Sequence, residues 1–169
     1  MINYVTGDAT QPQGEGARLI AHVCNNNKGG WGSGFVVALS QRCKTPEMQY
    51  REWHRNGTWS TVPFELGYVQ LADFTEPDVK VVNMIAQDGI RHSPSAPPAI
   101  NYPALRQCLD YLGRGATSWC EVTGVVPSIH MPRIGCGLGG GDWSVVEEAI
   151  LATLVDIYGL SVTVYDLPQ

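Results

Sequence analysis

The sequence predicts an α/β fold, a three-layer α/β/α sandwich with a mixed central sheet. Three observations predict it. Short β-rich runs alternate with segments of helical periodicity, the pattern of parallel strands joined by crossover helices. One pair of β-rich runs is joined by a turn instead, so the sheet is mixed. Two glycine-rich loops, Asn25–Gly34 and Gly135–Gly141, each leave a strand and enter a helix.

Ile2–Val5 reads as a strand, ended by Thr6-Gly7-Asp8. Arg18–Cys24 (RLIAHVC) is a second, apolar enough to be covered on both faces. Asn25–Ser33 (NNNKGGWGS) is a loop by composition. Phe35-Val36-Val37-Ala38-Leu39 opens a helix that ends near Arg42. Thr45-Pro46-Glu47 opens the next, with Thr45 as N-cap and proline in the first turn. It carries Met48, Tyr50 and Trp53 and stops by Asn56-Gly57. Leu66–Ala72 and Val79–Ala86 read as a hairpin turning around Glu76-Pro77-Asp78. Gln87–Ala99 is a proline-rich loop. From Pro103 onward Leu105, Cys108, Leu109 and Leu112 have helical spacing, and Gly113 and Gly115 predict a bend or break. Ser128–Ile134 is a strand. Asp142 can cap the last helix, whose stripe is Val146, Ile150, Leu154 and Ile157. Ser161–Tyr165 closes the sheet. Without repeats or a shift in composition, residues 1–169 read as one domain.

Hydrophobic residues make up 44% of the 169, enough for a core, and only 16% are charged. Eleven Lys and Arg against 16 Asp and Glu leave a net charge of −5. That excludes the basic field of a nucleic-acid binder. With only Lys28, Lys44 and Lys80 as lysines, an anion would have to be held by main-chain N–H groups and helix ends. No basic-plus-apolar leader and no long apolar run occurs, so a cytoplasmic protein without a membrane span is expected. The five cysteines form no CxxC pair and read as free thiols of a reducing compartment. The four histidines have no metal-ligand spacing, so neither metal nor cofactor is expected.

The two glycine-rich loops carry the chemistry. Each offers N–H groups without a Cβ in the way, and the following helix adds partial positive charge. If their strands are neighbours, the loops line one crevice and can clamp a diphosphate from both sides. The competing reading is that the glycines only make tight turns. No GxxxxGKS/T is present, so a P-loop is excluded. Gly135-Cys136-Gly137-Leu138-Gly139-Gly140 does spell GxGxxG between strand and helix, with Asp166 at the end of the next strand. The chain stops three residues later, whereas a dinucleotide fold needs further strands.

Gly7-Asp8 after the first strand, NNNKGGWGSGF into a helix and MPRIGCGLGGGDW into the last helix, in this order, resemble the macrodomain family. Within it they are most similar to the subgroup of ALC1-type and terminal ADP-ribose glycohydrolases. The resemblance spans nearly the whole chain, and MPRIGCGL is its most specific part. It implies a mixed sheet between helices and ADP-ribose as ligand. It implies that Asp8, with the Ala9 backbone, holds the adenine amino group; without it, Asp8 reads as a turn cap. The Gly32-Ser33-Gly34-Phe35 backbone would hold one side of the diphosphate. Ile134, Gly135, Cys136, Gly137, Leu138 and Gly139 would hold the other. Asn25 and Asn26 would approach the distal ribose, and Arg133 flanks the adenine side or is a solvated strand end.

Several members of this subgroup cleave the ester between the distal ribose and a Glu or Asp carboxylate, using a strand-end lysine and a loop aspartate. The lysine position falls here at about Ala72 or Asp73 and the aspartate position at Gly139, so neither group is present. Candidate bases are Asp142, Asp73 and His92, with Asp142 equally an N-cap, and Asn25 a candidate to assist at the sugar. Cys136 lacks the paired histidine a nucleophile needs. Water ordered by the ligand's own phosphate needs no side-chain base. The expected function is hydrolysis of mono-ADP-ribose from acidic side chains. The alternatives are a non-catalytic reader and a phosphatase of ADP-ribose 1″-phosphate. Expected partners are ADP-ribose and mono-ADP-ribosylated proteins, without nucleic acid or membrane, for a monomer.

Overall fold

Strand β2 (Arg18–Asn25) occupies the middle of the sheet because its sequence gives apolar side chains to both faces. Ile20 and Cys24 point to one core and Leu19 and Ala21 to the other. The computed structural model describes residues 1–27 and 30–169. In chain order, β1 (Ile2–Thr6) and β2 are followed by α1 (Phe35–Arg42) and α2 (Thr45–Asn56). Then come the short β3 (Thr58–Trp59) and β4 (Val62–Pro63), β5 (Val69–Asp73) and β6 (Val79–Gln87). Next are α3 (Tyr102–Thr123), β7 (Ser128–Met131), α4 (Trp143–Ile150) and β8 (Val162–Asp166).

The main sheet has the order β1-β8-β7-β2-β6-β5. All neighbours run parallel except β5, which is antiparallel to β6 as the hairpin reading requires. Helices α1 and α2 pack on one face with Leu39 and Tyr50, and α3 and α4 on the other with Leu105, Leu109 and Ile150. The mixed α/β/α sandwich is therefore the fold.

Several local expectations change. Lys44, not Thr45, is the N-cap of α2, and Pro46 lies within the first turn. Helix α3 runs unbroken through Gly113 and Gly115. Gly113 is there because Tyr158 needs the room: a Cβ would lie 2.1 Å from Tyr158 Cδ2. β7 ends at Met131 rather than Ile134, because Pro132 has no N–H to continue the ladder. α4 is capped by Asp142 but passes into a π-helical turn at Leu151–Val155. The wider turn changes the rotation of the residues beyond it, so Leu154 stays buried while Ile157 is 68% exposed. The β3–β4 hairpin, two residues per strand, is too short to leave a periodic signal.

β2 and β7 pair directly, from Arg18 with Ser128 to Ile20 with His130. Their carboxyl ends thus open side by side, and so do the two glycine-rich loops. Among the described residues no helix is long and apolar enough to cross a membrane.

Candidate functional site

A crevice of about 590 Å³ lies between residues 30–36, after β2, and residues 132–139, after β7. His22 and Val23 of β2 lie at its base, and Gln87, Ile90 and Arg91 form the wall beyond β6. The two loops approach each other closely. A Cβ at Gly34 would stand 3.2 Å from Leu138 Cδ1. Gly34 opens α1 with φ of 80°, a left-handed conformation that favours glycine.

Main-chain donors are concentrated there. Among the described residues, the N–H groups of Gly32, Ser33 and Gly34 have no protein acceptor, nor have those of Gly137, Leu138 and Gly139. Phe35 and Val36 add the free first-turn amides of α1. Two rows of unpaired donors therefore border one concave space, an arrangement suited to an anion with oxygens on both sides. Arg91 and Arg133 also line it, and among the described residues no lysine does.

The placement of each expected residue follows from the strand ends. Asn25, Gly32, Ser33, Gly34, Phe35, Arg133, Ile134, Gly135, Gly137, Leu138 and Gly139 all line the crevice. Asp8 and Ala9 do not; they follow β1, two strands away from β7. Asp8 acts as a turn cap: its Oδ1 accepts from Thr10 N at 2.9 Å and Thr10 Oγ1 at 2.8 Å. Asn26 also stays outside, donating to Asp88 Oδ1 at 3.0 Å and accepting from Gly89 N at 2.9 Å. Cys136 turns toward the core beneath the loop, where burial, then the Asp142 charge, pushes its thiol up to about 11. Residues 28 and 29 of the NNNKGGWGS loop lie outside the described residues.

Asp142 does not line the crevice. Its Oδ1 is taken by Ser144 N at 2.9 Å and Ser144 Oγ at 2.8 Å, so the capping role is the one seen. Asn25 lines the crevice, but its side chain braces the loop. Nδ2 donates to Gly30 O at 3.2 Å and Oδ1 accepts from Asn27 N at 2.7 Å. Placing the lysine position at Ala72 or Asp73 is corrected by strand direction. β5 runs against β6, and Asp73 pairs with Lys80 at the start of β6, at the opposite edge of the sheet. Asp73 there binds Lys80 Nζ at 2.7 Å, which holds its carboxyl below the usual range. His92 is exposed and is not among the lining residues.

The strand end that reaches the crevice from this side belongs to β6, and its residue is Gln87. Its Nε2 donates to Gly89 O at 3.1 Å, and its Oε1 would lie 3.1 Å from a Cβ at Gly139. Gln87, Ile90 and Arg91 were missed because the 87–99 loop carries no motif. The signal in the sequence is the β-run Val79–Ala86, whose carboxyl end leads directly into Gln87.

At the other end, Arg133 forms a two-point ion pair with Asp166, Nε to Oδ1 at 2.7 Å and Nη2 to Oδ2 at 2.9 Å. The guanidinium lies over the rings of Tyr4 and Trp143, 5.2 and 5.1 Å from their centroids. Below the crevice His22 is buried and shares a 2.5 Å hydrogen bond with Asn83 Oδ1. Burial lowers its pKa to about 4, so it is neutral at pH 7. Among the described residues no cluster of three His, Cys, Asp or Glu is placed to hold a metal ion.

No family model matches the chain. A solved structure of a macrodomain protein from Streptomyces coelicolor is 44% identical, with 98% of this chain and 99% of that one covered and a TM-score of 0.78. A structure of Thermosipho africanus DarTG in complex with ADP-ribose is 18% identical, covering 90% of this chain and 38% of that one, with a TM-score of 0.64. At that identity the likeness concerns the fold. A curated relative, chromodomain-helicase-DNA-binding protein 1-like of Danio rerio, is 28% identical over 156 residues. These span 88% of this chain but only 14% of that protein's length.

Proposed function

The chain belongs to the macrodomain family, and we propose on that premise that its crevice binds ADP-ribose and hydrolyses the ester joining it to a protein carboxylate. The observation that carries the reading is the pair of opposed amide rows, residues 32–34 and 137–139, around one cavity. A diphosphate spanning them receives donors on both sides and needs no lysine. The adenosine then extends toward Arg133 and Asp166, and the distal ribose toward Asn25 and Gln87. The solved likeness that carries ADP-ribose supports the ligand class. MPRIGCGL and the Danio rerio relative favour the ALC1-type and terminal glycohydrolase subgroup within the family.

Hydrolysis places the water hydroxyl on the distal ribose C1″. The C1″–O bond breaks, the carboxylate leaves with its electron pair, and the water proton passes to solvent. The titratable groups lining the crevice are His22, Arg91 and Arg133. None is an effective base at pH 7, since burial leaves His22 neutral down to about pH 4 and correspondingly weak as a proton acceptor. A phosphate oxygen of the bound ligand is the acceptor that can orient water, and fixed geometry supplies the remaining acceleration. Loop amides stabilise charge as it develops.

A second reading, binding without turnover, is favoured by one observation: the strand end nearest the distal ribose carries the amide of Gln87. Calorimetry with ADP-ribose tests the ligand, and NAD binding at least as strongly would favour the dinucleotide alternative. Incubation with a Glu-ADP-ribosylated protein and with ADP-ribose 1″-phosphate tests the chemistry. Release of ADP-ribose from the protein supports the hydrolase. Phosphate release makes it a phosphatase, and tight binding with neither leaves a reader.

A further inference from the structure

Helix α2 carries a second, open cavity of about 470 Å³, lined by Tyr50, Arg51, His54 and Arg55. Tyr50 ties it to the crevice. Tyr50 is buried, and its hydroxyl meets Asn25 O at 2.7 Å and Asn27 O at 3.3 Å. Asn25 lines the crevice, so Tyr50 touches the second cavity and also the chain that borders the first. The second cavity therefore lies at the β2–β6 end, away from Arg133 and Asp166.

Among the described residues its lining holds two arginines and no carboxylate, although Glu47 and Glu52 lie on the same helix. Arg51 gives its Nε–H to Glu47 at 3.0 Å and remains 43% exposed. Arg55 is exposed and, among the described residues, has no carboxylate within ion-pair distance. His54 packs its ring edge-to-face with Phe64 beside them. Two arginines and a histidine are thus gathered on two turns of one helix in a protein of net charge −5.

We propose that Arg51, His54 and Arg55 dock an acidic segment of the ADP-ribosylated protein, next to the modified residue. The inference rests on the crevice reading, in which the distal ribose, and so the polypeptide attached to it, emerges at the Asn25 end. A carboxylate-rich peptide of a few residues matches a patch of this size. An extended nucleic acid does not, because two arginines neutralise few phosphates and the chain as a whole carries a net charge of −5. Rim charges of this kind govern partner choice more than total affinity.

The test compares two peptides carrying ADP-ribose on the same glutamate, one flanked by Asp and Glu and one by Ser and Gly. Apparent affinity is read as Kd, or as KM where the peptide is turned over. The native protein should prefer the acidic peptide by about 5- to 10-fold at low salt. R51A/R55A should lose that preference, R51K/R55K should keep most of it, and both should bind free ADP-ribose like the native protein. Equal affinity for the two peptides in the native protein overturns the inference. So does an equal loss of free ADP-ribose binding in R51A/R55A. An ADP-ribosylated oligonucleotide that gains as much as the acidic peptide also overturns it. If the native protein fails to bind free ADP-ribose, the crevice reading itself falls, and that result is separately visible.

Discussion

The two glycine-rich loops border the same space but are built on different physics. The loop after β7 is shaped by its own main chain. Gly141 N donates to Gly135 O at 2.8 Å and Gly140 N to Gly137 O at 3.1 Å, while Ala99 N reaches Gly139 O at 2.9 Å. Cβ atoms at Gly139 and Gly141 would stand 2.8 and 2.6 Å from Gly135 O. The loop after β2 is shaped by side chains. Asn25 braces it from inside, Tyr50 holds Asn25 O from α2, and Trp31 Nε1 donates to Ser40 Oγ at 2.8 Å. A Cβ at Gly32 would meet nothing within 4 Å. Gly139 and Gly141 are thus required by the main chain of their own loop, whereas in the β2 loop Gly30 makes room for the Asn25 side chain, where a Cβ would stand only 1.9 Å from its Nδ2, and Gly32 is left open.

Acid should weaken both loops together and has the largest expected effect. Each is fed by a strand carrying a buried histidine, His22 in β2 and His130 in β7, and burial lowers both pKa values from 6.5 to about 4. Above pH 6.5 folded and unfolded chains hold equal protons at these sites. As pH falls from 6.5 toward 4 the unfolded chain takes protons that the folded one refuses, so stability drops through that window and then levels. At about 1.4 kcal/mol per pH unit for each group, the loss reaches several kcal/mol. Urea denaturation at pH 7 and pH 4.5 measures it; equal midpoints would remove the two histidines from the account.

Gly137→Leu separates the ligand from the scaffold. Nothing lies within 4 Å of a Cβ there, and Gly137 lines the crevice. ADP-ribose affinity should fall by more than about 100-fold, roughly 2.7 kcal/mol, with little change in melting temperature. Normal binding would mean the ligand does not use this loop. Gly141→Ala should act on the scaffold itself. Its methyl meets the carbonyl oxygen of Gly135, and overpacking of this kind costs about 1–3 kcal/mol. Melting temperature and ADP-ribose affinity should therefore fall together, and a fall in affinity alone would show that the backbone yields without cost.

This contrast was only half legible in the sequence. Strand–loop–helix order, the β5–β6 hairpin and Asp142 as a cap could be read because each rests on local periodicity or local chemistry. That the loops share a crevice depended on β2 and β7 being neighbours, a condition the residues pose but do not answer. Asp73 illustrates a readable feature left unread: antiparallel β5 necessarily ends at the far edge, leaving Gln87 of parallel β6 at the crevice. Gly113 reads as a weak point in sequence because its partner, Tyr158, lies 45 residues on and touches it only through the fold. The π-helical turn at Leu151–Val155 likewise leaves no composition signal, yet it turns Ile157 away from the core.

Two smaller substitutions test whether side chains shape the β2 loop. Tyr50→Phe removes one buried donor from Asn25 O, worth about 1 kcal/mol, and should weaken ADP-ribose a few-fold by letting the loop drift. Gly32→Ala is the smallest change. Its backbone is not left-handed and its Cβ has open space, so the methyl strains nothing. Alanine also narrows the unfolded ensemble, which offsets much of any cost, and stability should move by less than about 0.5 kcal/mol. The informative measurement is the difference between the Gly32→Ala and Gly141→Ala melting temperatures. If the two fall alike, the β2 loop has the same main-chain constraint as its partner, and Asn25, Tyr50 and Trp31 are not what gives it its shape.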